Sequence, residues 1–173
     1  MRDFGLYVII THPRHEIEDI AAICVNYGVK MLQLRNKDGD AGEIIDEYRR
    51  MAPILKGSGT RCIINDRADL ALVCGADGLH VGQDDLSLSD VRRYFPEFEN
   101  KLIGLSTHSV EQAKHALTLK PDYIGFGPIF PTFAKKKPDP AVGLESLKEV
   151  LAFSDVPVVA IGGINRENID QVL

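Results

Sequence analysis

The chain of 173 residues is 45% hydrophobic and 26% charged, a globular balance that leads one to expect a single domain, residues 1–173, with a sizeable core. With 25 Asp and Glu against 20 Lys and Arg, the net charge of -5 supplies no field to gather nucleic acid or a membrane surface, so any phosphate must be met by local groups. Cys24, Cys62 and Cys74 lack a metal-ligand or CxxC spacing and read as buried reduced thiols; no apolar run nears the roughly 20 residues that cross a bilayer, and the N-terminus has no basic leader, so a cytoplasmic protein is expected.

Along the chain, short runs rich in Val, Ile and Leu recur roughly every 20–25 residues with helical-period segments between them, the pattern of consecutive βα units. Leu6–Ile10 reads as the first strand. Ile17–Tyr27 follows as a helix stopped by Gly28, and Met31–Leu34 as the second strand. Further strands are expected at Cys62–Ile64, Gly78–Val81, Leu102–Leu105, Tyr123–Phe126 and Val156–Ile161. Helices are expected at Ala41–Leu55, Ala68–Cys74, Leu88–Tyr94, Ser109–Leu119, Leu144–Phe153 and Asn165–Leu173.

Strands that are apolar on both faces suit a parallel sheet covered by helices, which leaves a barrel or a doubly wound sheet. A doubly wound sheet gathers its ligand at one switch point, whereas here polar residues follow nearly every strand, as in a barrel whose βα loops build the site. The expected fold is therefore α/β, a TIM (β/α)8 barrel, with the eighth βα unit absent from the sequence. A seven-stranded parallel sheet leaves edges on its first and seventh strands, and such edges invite pairing with another copy, so a homo-oligomer is an expectation for this segment.

The second strand leads into Gln33-Leu34-Arg35-Asn36-Lys37, where alternation puts Gln33, Arg35 and Lys37 on one side. One amide and two cations can hold a polyanion there, Arg as a planar fork and Lys as a compact charge; a solvated charged loop is the bland alternative. After the third strand come Asn65, Asp66 and Arg67. Asp66 is a candidate Mg²⁺ ligand, and helix capping by Asn65 or Asp66 is the competing role. The fourth strand ends in His80-Val81-Gly82-Gln83-Asp84-Asp85, bringing a second acid to the same rim, and two carboxylates from adjacent loops suit Mg²⁺, which completes its shell with water and substrate phosphate.

His80 lies within its strand and reads as a hydrogen-bonded core residue rather than a catalytic one. In Leu105-Ser106-Thr107-His108-Ser109, Ser109 reads as a helix cap, leaving Ser106 nearest the strand end; nothing suggests a nucleophilic triad. The sixth strand opens into the longest loop, from Gly127-Pro128-Ile129-Phe130-Pro131-Thr132-Phe133-Ala134 to Lys135-Lys136-Lys137-Pro138, and long loops in compact domains often bind ligands. Gly162-Gly163 closes the seventh strand, where bare backbone N–H groups can approach a phosphate, although a simple turn explains the pair about as well.

Together and in order, the segments Q-x-R-x-K, I-N-D-R, H-x-G-Q-x-D, S-T-H and G-P-x-F-P-T…K-K resemble the thiamine-phosphate synthase (thiamine-phosphate pyrophosphorylase) family over essentially the whole chain. The resemblance implies a transferase of thiamine biosynthesis that condenses 4-amino-2-methyl-5-hydroxymethylpyrimidine diphosphate with thiazole phosphate, giving thiamine phosphate and pyrophosphate. It implies that Gln33, Leu34, Arg35, Asn36, Lys37, Asn65, Ser106 and Lys135 contact the pyrimidine diphosphate, and that Asp66 and Asp85 hold the Mg²⁺ cofactor. It further implies that Thr132, Phe133 and Ala134, with the Gly163 backbone, meet the thiazole phosphate. Arg35, Lys37, Ser106 and Lys135 would then be the catalytic set, stabilising charge on the departing pyrophosphate.

Three departures from the family pattern stand out: Thr11-His12 in place of Thr-Asp, Ala134 where many members have Thr, and the absent eighth unit. Two rival readings remain, a thiazole tautomerase-like isomerase on the same barrel and a non-catalytic phosphate-binding paralogue. The first has no need of an Mg²⁺ carboxylate pair beside Arg35 and Lys37. The second is motivated by the absent unit.

Overall fold

A computed structural model of the chain describes residues 4–11, 13–132 and 139–173. It divides into two compact units. The first contains the residues up to Val81 together with Asp85–Ile103, and the second contains Gly82–Asp84 and Gly104–Leu173.

In the first unit four parallel strands lie side by side in sequence order: β1 (Tyr7–Ile10), β2 (Met31–Leu34), β3 (Arg61–Asn65) and β4 (Gly78–Val81). Helices α1 (Ile17–Asn26), α2 (Ala41–Leu55) and α3 (Ala68–Cys74) connect them, and α4 (Leu88–Tyr94) follows β4. Every residue of β2 and β4 is buried, as expected of strands covered on both faces. In such strands a polar residue stands out. Gln33 and His80 are those residues here, and burial obliges them to find partners.

Helix α2 starts at a full capping box: the Asp40 carboxylate accepts from the Glu43 amide and the Glu43 carboxylate accepts from the Asp40 amide, satisfying two otherwise orphaned donors. Helix α4 is capped by Ser87, whose hydroxyl accepts from the Asp90 amide. Pro96 opens a 3-10 turn, Pro96–Asn100, that the strand-helix alternation did not anticipate. It buries Phe98.

In the second unit β5 (Leu102–Thr107, its first two residues belonging to the first unit), β6 (Tyr123–Phe126) and β7 (Val158–Ala160) are again parallel and adjacent in sequence order. Helices α5 (Val110–Thr118) and α6 (Gly143–Phe153) join them. Strand β5 runs two residues beyond its apolar stretch. Thr107 is fully buried, and its hydroxyl donates to the Gly125 carbonyl at 2.9 Å, which makes a polar residue acceptable inside the sheet. Ser109 caps α5 by accepting from the Gln112 amide at 3.1 Å, as expected from the sequence.

The predicted helix at Asn165–Leu173 is a correction. That stretch holds only the 3-10 turn Ile169–Gln171. The reason is local competition by asparagine side chains: Asn168 Oδ1 accepts from the Asn165 amide at 2.7 Å, and Asn165 Oδ1 accepts from the Glu167 amide at 2.9 Å. Cys24 and Cys62 are buried free thiols, whereas Cys74, the last residue of α3, is part-exposed rather than buried. Burial pushes the Cys62 thiol up to about 12, which keeps it protonated and unreactive. No helix among the described residues is long and apolar enough to cross a membrane.

Candidate active site

In the first unit, polar side chains gather where β2, β3 and β4 end. Gln33 is buried, and its Nε2 donates to the Tyr7 hydroxyl at 2.9 Å, so β1 fixes the amide of β2. Arg35 leaves β2 with its amide bonded to the Ile10 carbonyl at 2.9 Å, and its Nη1 donates to Thr11 Oγ1 at 3.2 Å. Lys37 reaches across to β3, its Nζ 2.9 Å from Asp66 Oδ2. Each member of the expected trio thus has its own partner at a neighbouring strand. Tyr7 on β1 and Thr11 just after it, which orient two of its members, carry no signal in a single sequence.

Leu34 and Asn36 are placed differently. Leu34 is buried. The Asn36 amide is committed to its own loop, donating from Nδ2 to the Glu47 carboxylate of α2 at 3.2 Å and accepting from the Gly39 amide at 2.8 Å. Leu34 thus belongs to the core, and the Asn36 side chain serves the β2–α2 connection.

Asn65 ends β3 and Asp66 follows it with φ +60, a left-handed conformation unusual outside glycine. The Asp66 amide donates to the His80 carbonyl at 2.8 Å and the Arg67 amide to the Asn65 carbonyl at 2.7 Å, so the chain turns sharply on two backbone bonds. Neither Asn65 nor Asp66 caps α3. Arg67 occupies that position and no side chain caps it. The carboxylate of Asp66 is thus free of helix duty and turned towards Lys37 and Asp85.

Burial raises the Asp66 carboxyl above the usual carboxylate range, and hydrogen bonding and repulsion from Asp85 push the same way, while Lys37 pulls it back down. Two acids sharing one half-buried position is an arrangement that a hard divalent cation relieves. Among the described residues no set of three or more His, Cys, Asp or Glu could hold a metal. A pair of carboxylates with water and phosphate oxygens is nevertheless the donor set that Mg²⁺ takes, so the chemistry of Asp66 and Asp85 fits that ion. His80 is buried beside them. Desolvation lowers its imidazole to about 4 against a smaller opposing pull from Asp85, so the ring is neutral at pH 7, in keeping with a core histidine.

Among its described residues the second unit presents mainly backbone at its strand ends. Ser106 lies in β5 near its end, and its carbonyl accepts from Gln83 Nε2 at 2.5 Å. Gln83 is a residue the sequence reading quoted within a motif but gave no task. The loop after β6 begins at Gly127, where an added Cβ would stand 2.1 Å from the Ile161 carbonyl oxygen, so only glycine allows the loop to pass β7.

Ile129 and Phe130 then donate to the carbonyls of Ile161 and Gly162 at 2.8 and 3.0 Å. At Gly163, φ +68, a Cβ would lie 2.7 Å from Phe130 and Pro131 atoms, and the Gly163 carbonyl accepts from Asn168 Nδ2 at 2.9 Å. The glycine pair does more than turn the chain, because it lets the loops after β6 and β7 touch along their backbones. Thr132 lies at the end of the described part of its loop. Phe133, Ala134 and Lys135, and His12 of the Thr11-His12 departure, lie outside the described residues.

Repeating βα units with parallel strands adjacent in sequence order define the class, an α/β chain of the TIM-barrel type. The thiamine monophosphate synthase family model matches residues 6–173, and the chain belongs to that family. It is 39% identical to the thiamine-phosphate synthase of Halalkalibacterium halodurans over all of this chain and 82% of that protein. Against the thiamine-phosphate synthase of Koribacter versatilis it is 46% identical over 84% of this chain and 68% of that protein. Among solved structures, the thiamine phosphate pyrophosphorylase of Pyrococcus furiosus superposes with a TM-score of 0.84 at 32% identity, covering 98% of this chain and 80% of that one.

Proposed function

We propose that the protein is a transferase that condenses 4-amino-2-methyl-5-hydroxymethylpyrimidine diphosphate with thiazole phosphate, releasing pyrophosphate and forming thiamine phosphate. The observation that carries this reading is the Asp66–Asp85 carboxylate pair with the Lys37 ammonium 2.9 Å from Asp66, at the ends of three adjacent strands in a member of this family. An isomerase acting on a thiazole phosphate has no leaving diphosphate and no use for that pair.

In the proposed reaction the bond between the pyrimidine methylene and the diphosphate oxygen breaks, the pair of electrons leaves with pyrophosphate, and the thiazole nitrogen donates its lone pair to the methylene carbon. No proton need move in either step, in keeping with a neutral buried His80. Arg35 and Lys37 would meet the charge growing on the leaving oxygens, with Ser106 and, by resemblance, Lys135; donors already in place are worth more than ones that must reorganise.

Asp66 and Asp85 would hold Mg²⁺, which when bound neutralises the diphosphate and orients it. Gln33, fixed by Tyr7, and Asn65 would contact the pyrimidine substrate; Leu34 and Asn36 would do so through backbone, their side chains being occupied. Thr132 and the Gly163 amide would take the thiazole phosphate, with the neighbouring Phe133 and Ala134 assigned there by resemblance.

The test is pyrophosphate release by the purified protein with Mg²⁺, given each substrate alone and then both. Release with both substrates, at least a hundredfold above either alone, is the expected outcome for two reactants held together. No release from the complete mixture overturns the reading. Binding of thiazole phosphate alone, with isomerisation and no pyrophosphate, would point to the tautomerase.

A further inference from the structure

The loop after β6 is tied at its neck in two ways. One is backbone pairing: the Val142 amide donates to the Pro128 carbonyl at 2.8 Å and the Gly143 amide to the Ile129 carbonyl at 3.2 Å. The other is a side chain with no role in the reaction proposed above. His108 follows β5, and its ring Nδ1 lies 2.6 Å from the Gly127 carbonyl oxygen at the loop's entry, while its Nε2 lies 3.7 Å from Asp139 Oδ2 at the far end of the loop.

A carbonyl only accepts, so Nδ1 carries the proton in that short bond. Nε2, the other ring nitrogen, faces the Asp139 carboxylate.

The ring has a fixed seat. The His108 amide donates to Gln112 Oε1 at 2.7 Å, and the pairing of β5 with β6, Gly104↔Tyr123 through Thr107↔Phe126, brings His108 to the level of Gly127. The side chain is 19% exposed. Gly127 is equally constrained, its amide bonded to the Thr107 carbonyl at 3.1 Å and the Ile161 carbonyl leaving no room for a Cβ. The imidazole therefore acts where the chain leaves β6, and the backbone bonds of Ile129 and Phe130 carry that direction on towards Thr132, five residues beyond Gly127.

We propose that His108 is a positioning residue for thiazole phosphate: by bonding the Gly127 carbonyl, with Asp139 facing its other nitrogen, it fixes the start of the stretch that carries Thr132, without touching the reacting atoms. The proposal rests on the transferase reading, and the experiment separates the two. Steady-state kinetics would be measured for His108→Ala, His108→Asn, Asp139→Asn and the double variant His108→Ala/Asp139→Asn, with each substrate varied in turn.

For His108→Ala, KM for thiazole phosphate should rise roughly tenfold, the loss expected for one hydrogen bond to a charged or strongly polarised partner, with KM for the pyrimidine diphosphate essentially unchanged. His108→Asn, whose amide nitrogen can stand where Nδ1 stood, should recover most of that loss. Asp139→Asn should raise the same KM by a few-fold alone and add nothing to His108→Ala, since members of one linkage are not additive. Equal effects on both KM values without rescue by Asn, or strictly additive effects of the two substitutions, would overturn the proposal as mere loss of structure.

Should His108→Ala fail to fold, His108→Asn and Asp139→Asn carry the same comparison. An inactive wild-type protein would instead refute the transferase reading. The His108 ring would then be judged by ¹⁵N imidazole spectra, where the proposal requires a protonated Nδ1 and an Nε2 signal that moves in Asp139→Asn. An unmoved Nε2 signal overturns it.

Discussion

The two units differ in what their strand ends present. In the first, Arg35, Lys37, Asp66 and Asp85 follow the ends of β2, β3 and β4, so charge dominates. Among the described residues of the second, Gly127 and Gly163 occupy positions where a single methyl group would meet backbone, so shape dominates. The lesson is that the first unit is vulnerable to changes of chemistry at constant volume and the second to changes of volume at constant chemistry.

The sharpest way to break this contrast is Asp85→Asn, which keeps the volume and removes a charge. Turnover should fall about a thousandfold or more, as when a charge-stabilising element is lost, with the far-ultraviolet circular dichroism spectrum intact. Chelating Mg²⁺ from the unaltered protein should do the same. Full turnover of Asp85→Asn in chelator would remove the metal assignment and with it the electrostatic half of the comparison.

Gly127→Ala is the matching steric change. A Cβ 2.1 Å from the Ile161 carbonyl forces backbone apart, so unfolding in urea should show a loss of about 3 kcal/mol, the upper range for overpacking. A loss under about 0.5 kcal/mol, the ordinary scatter of surface substitutions, would mean that the two loops part without cost.

A third measurement is internal to the first unit. His80 has an imidazole lowered to about 4 from 6.5, so between those values the unfolded chain binds a proton that the folded one refuses. The stability this contributes is fully present above pH 6.5 and is lost as pH falls towards 4, amounting to about 3 kcal/mol at 1.36 kcal/mol per pH unit. His80→Gln should flatten that limb in urea titrations at a series of pH values, and an unchanged slope would refute the buried neutral ring.

The smallest effect belongs to Arg67, whose guanidinium meets Asp69 at the surface. Arg67→Ala should cost only about 0.5 kcal/mol, because an exposed ion pair is screened. The Asp69 carboxyl is lowered chiefly by that hydrogen bond, so the small contribution is present above 3.8 and lost as pH falls through the lowered value. A larger loss would show that charge in this unit is structural as well as functional.

Much of both units was legible before any coordinates. Strands β2, β4 and β6 and helices α2, α3 and α4 begin and end where apolar runs and helical periodicity place them, because both are local properties of the chain; the Asp40 and Ser87 caps, which the structure adds, lie at the same boundaries. The same local reading failed at Asn165–Leu173, where asparagine side chains compete with helical bonds over a few residues. It also left open whether Asp66 caps a helix, since a capping acid and a ligand look alike in sequence.

What the sequence determined by itself was thus the βα alternation, the residue types at each strand end and the family. Only the tertiary structure decided that Asp66 stands beside Lys37 and Asp85 rather than on α3, that the Asn36 amide is taken by Glu47, that Gln83 holds the Ser106 carbonyl, and that His108 spans Gly127 and Asp139. The physical reason is range. Caps and strand periods are settled by neighbours a few residues away, whereas each of these pairings joins residues brought together by the stacking of parallel strands, whose register no single strand encodes.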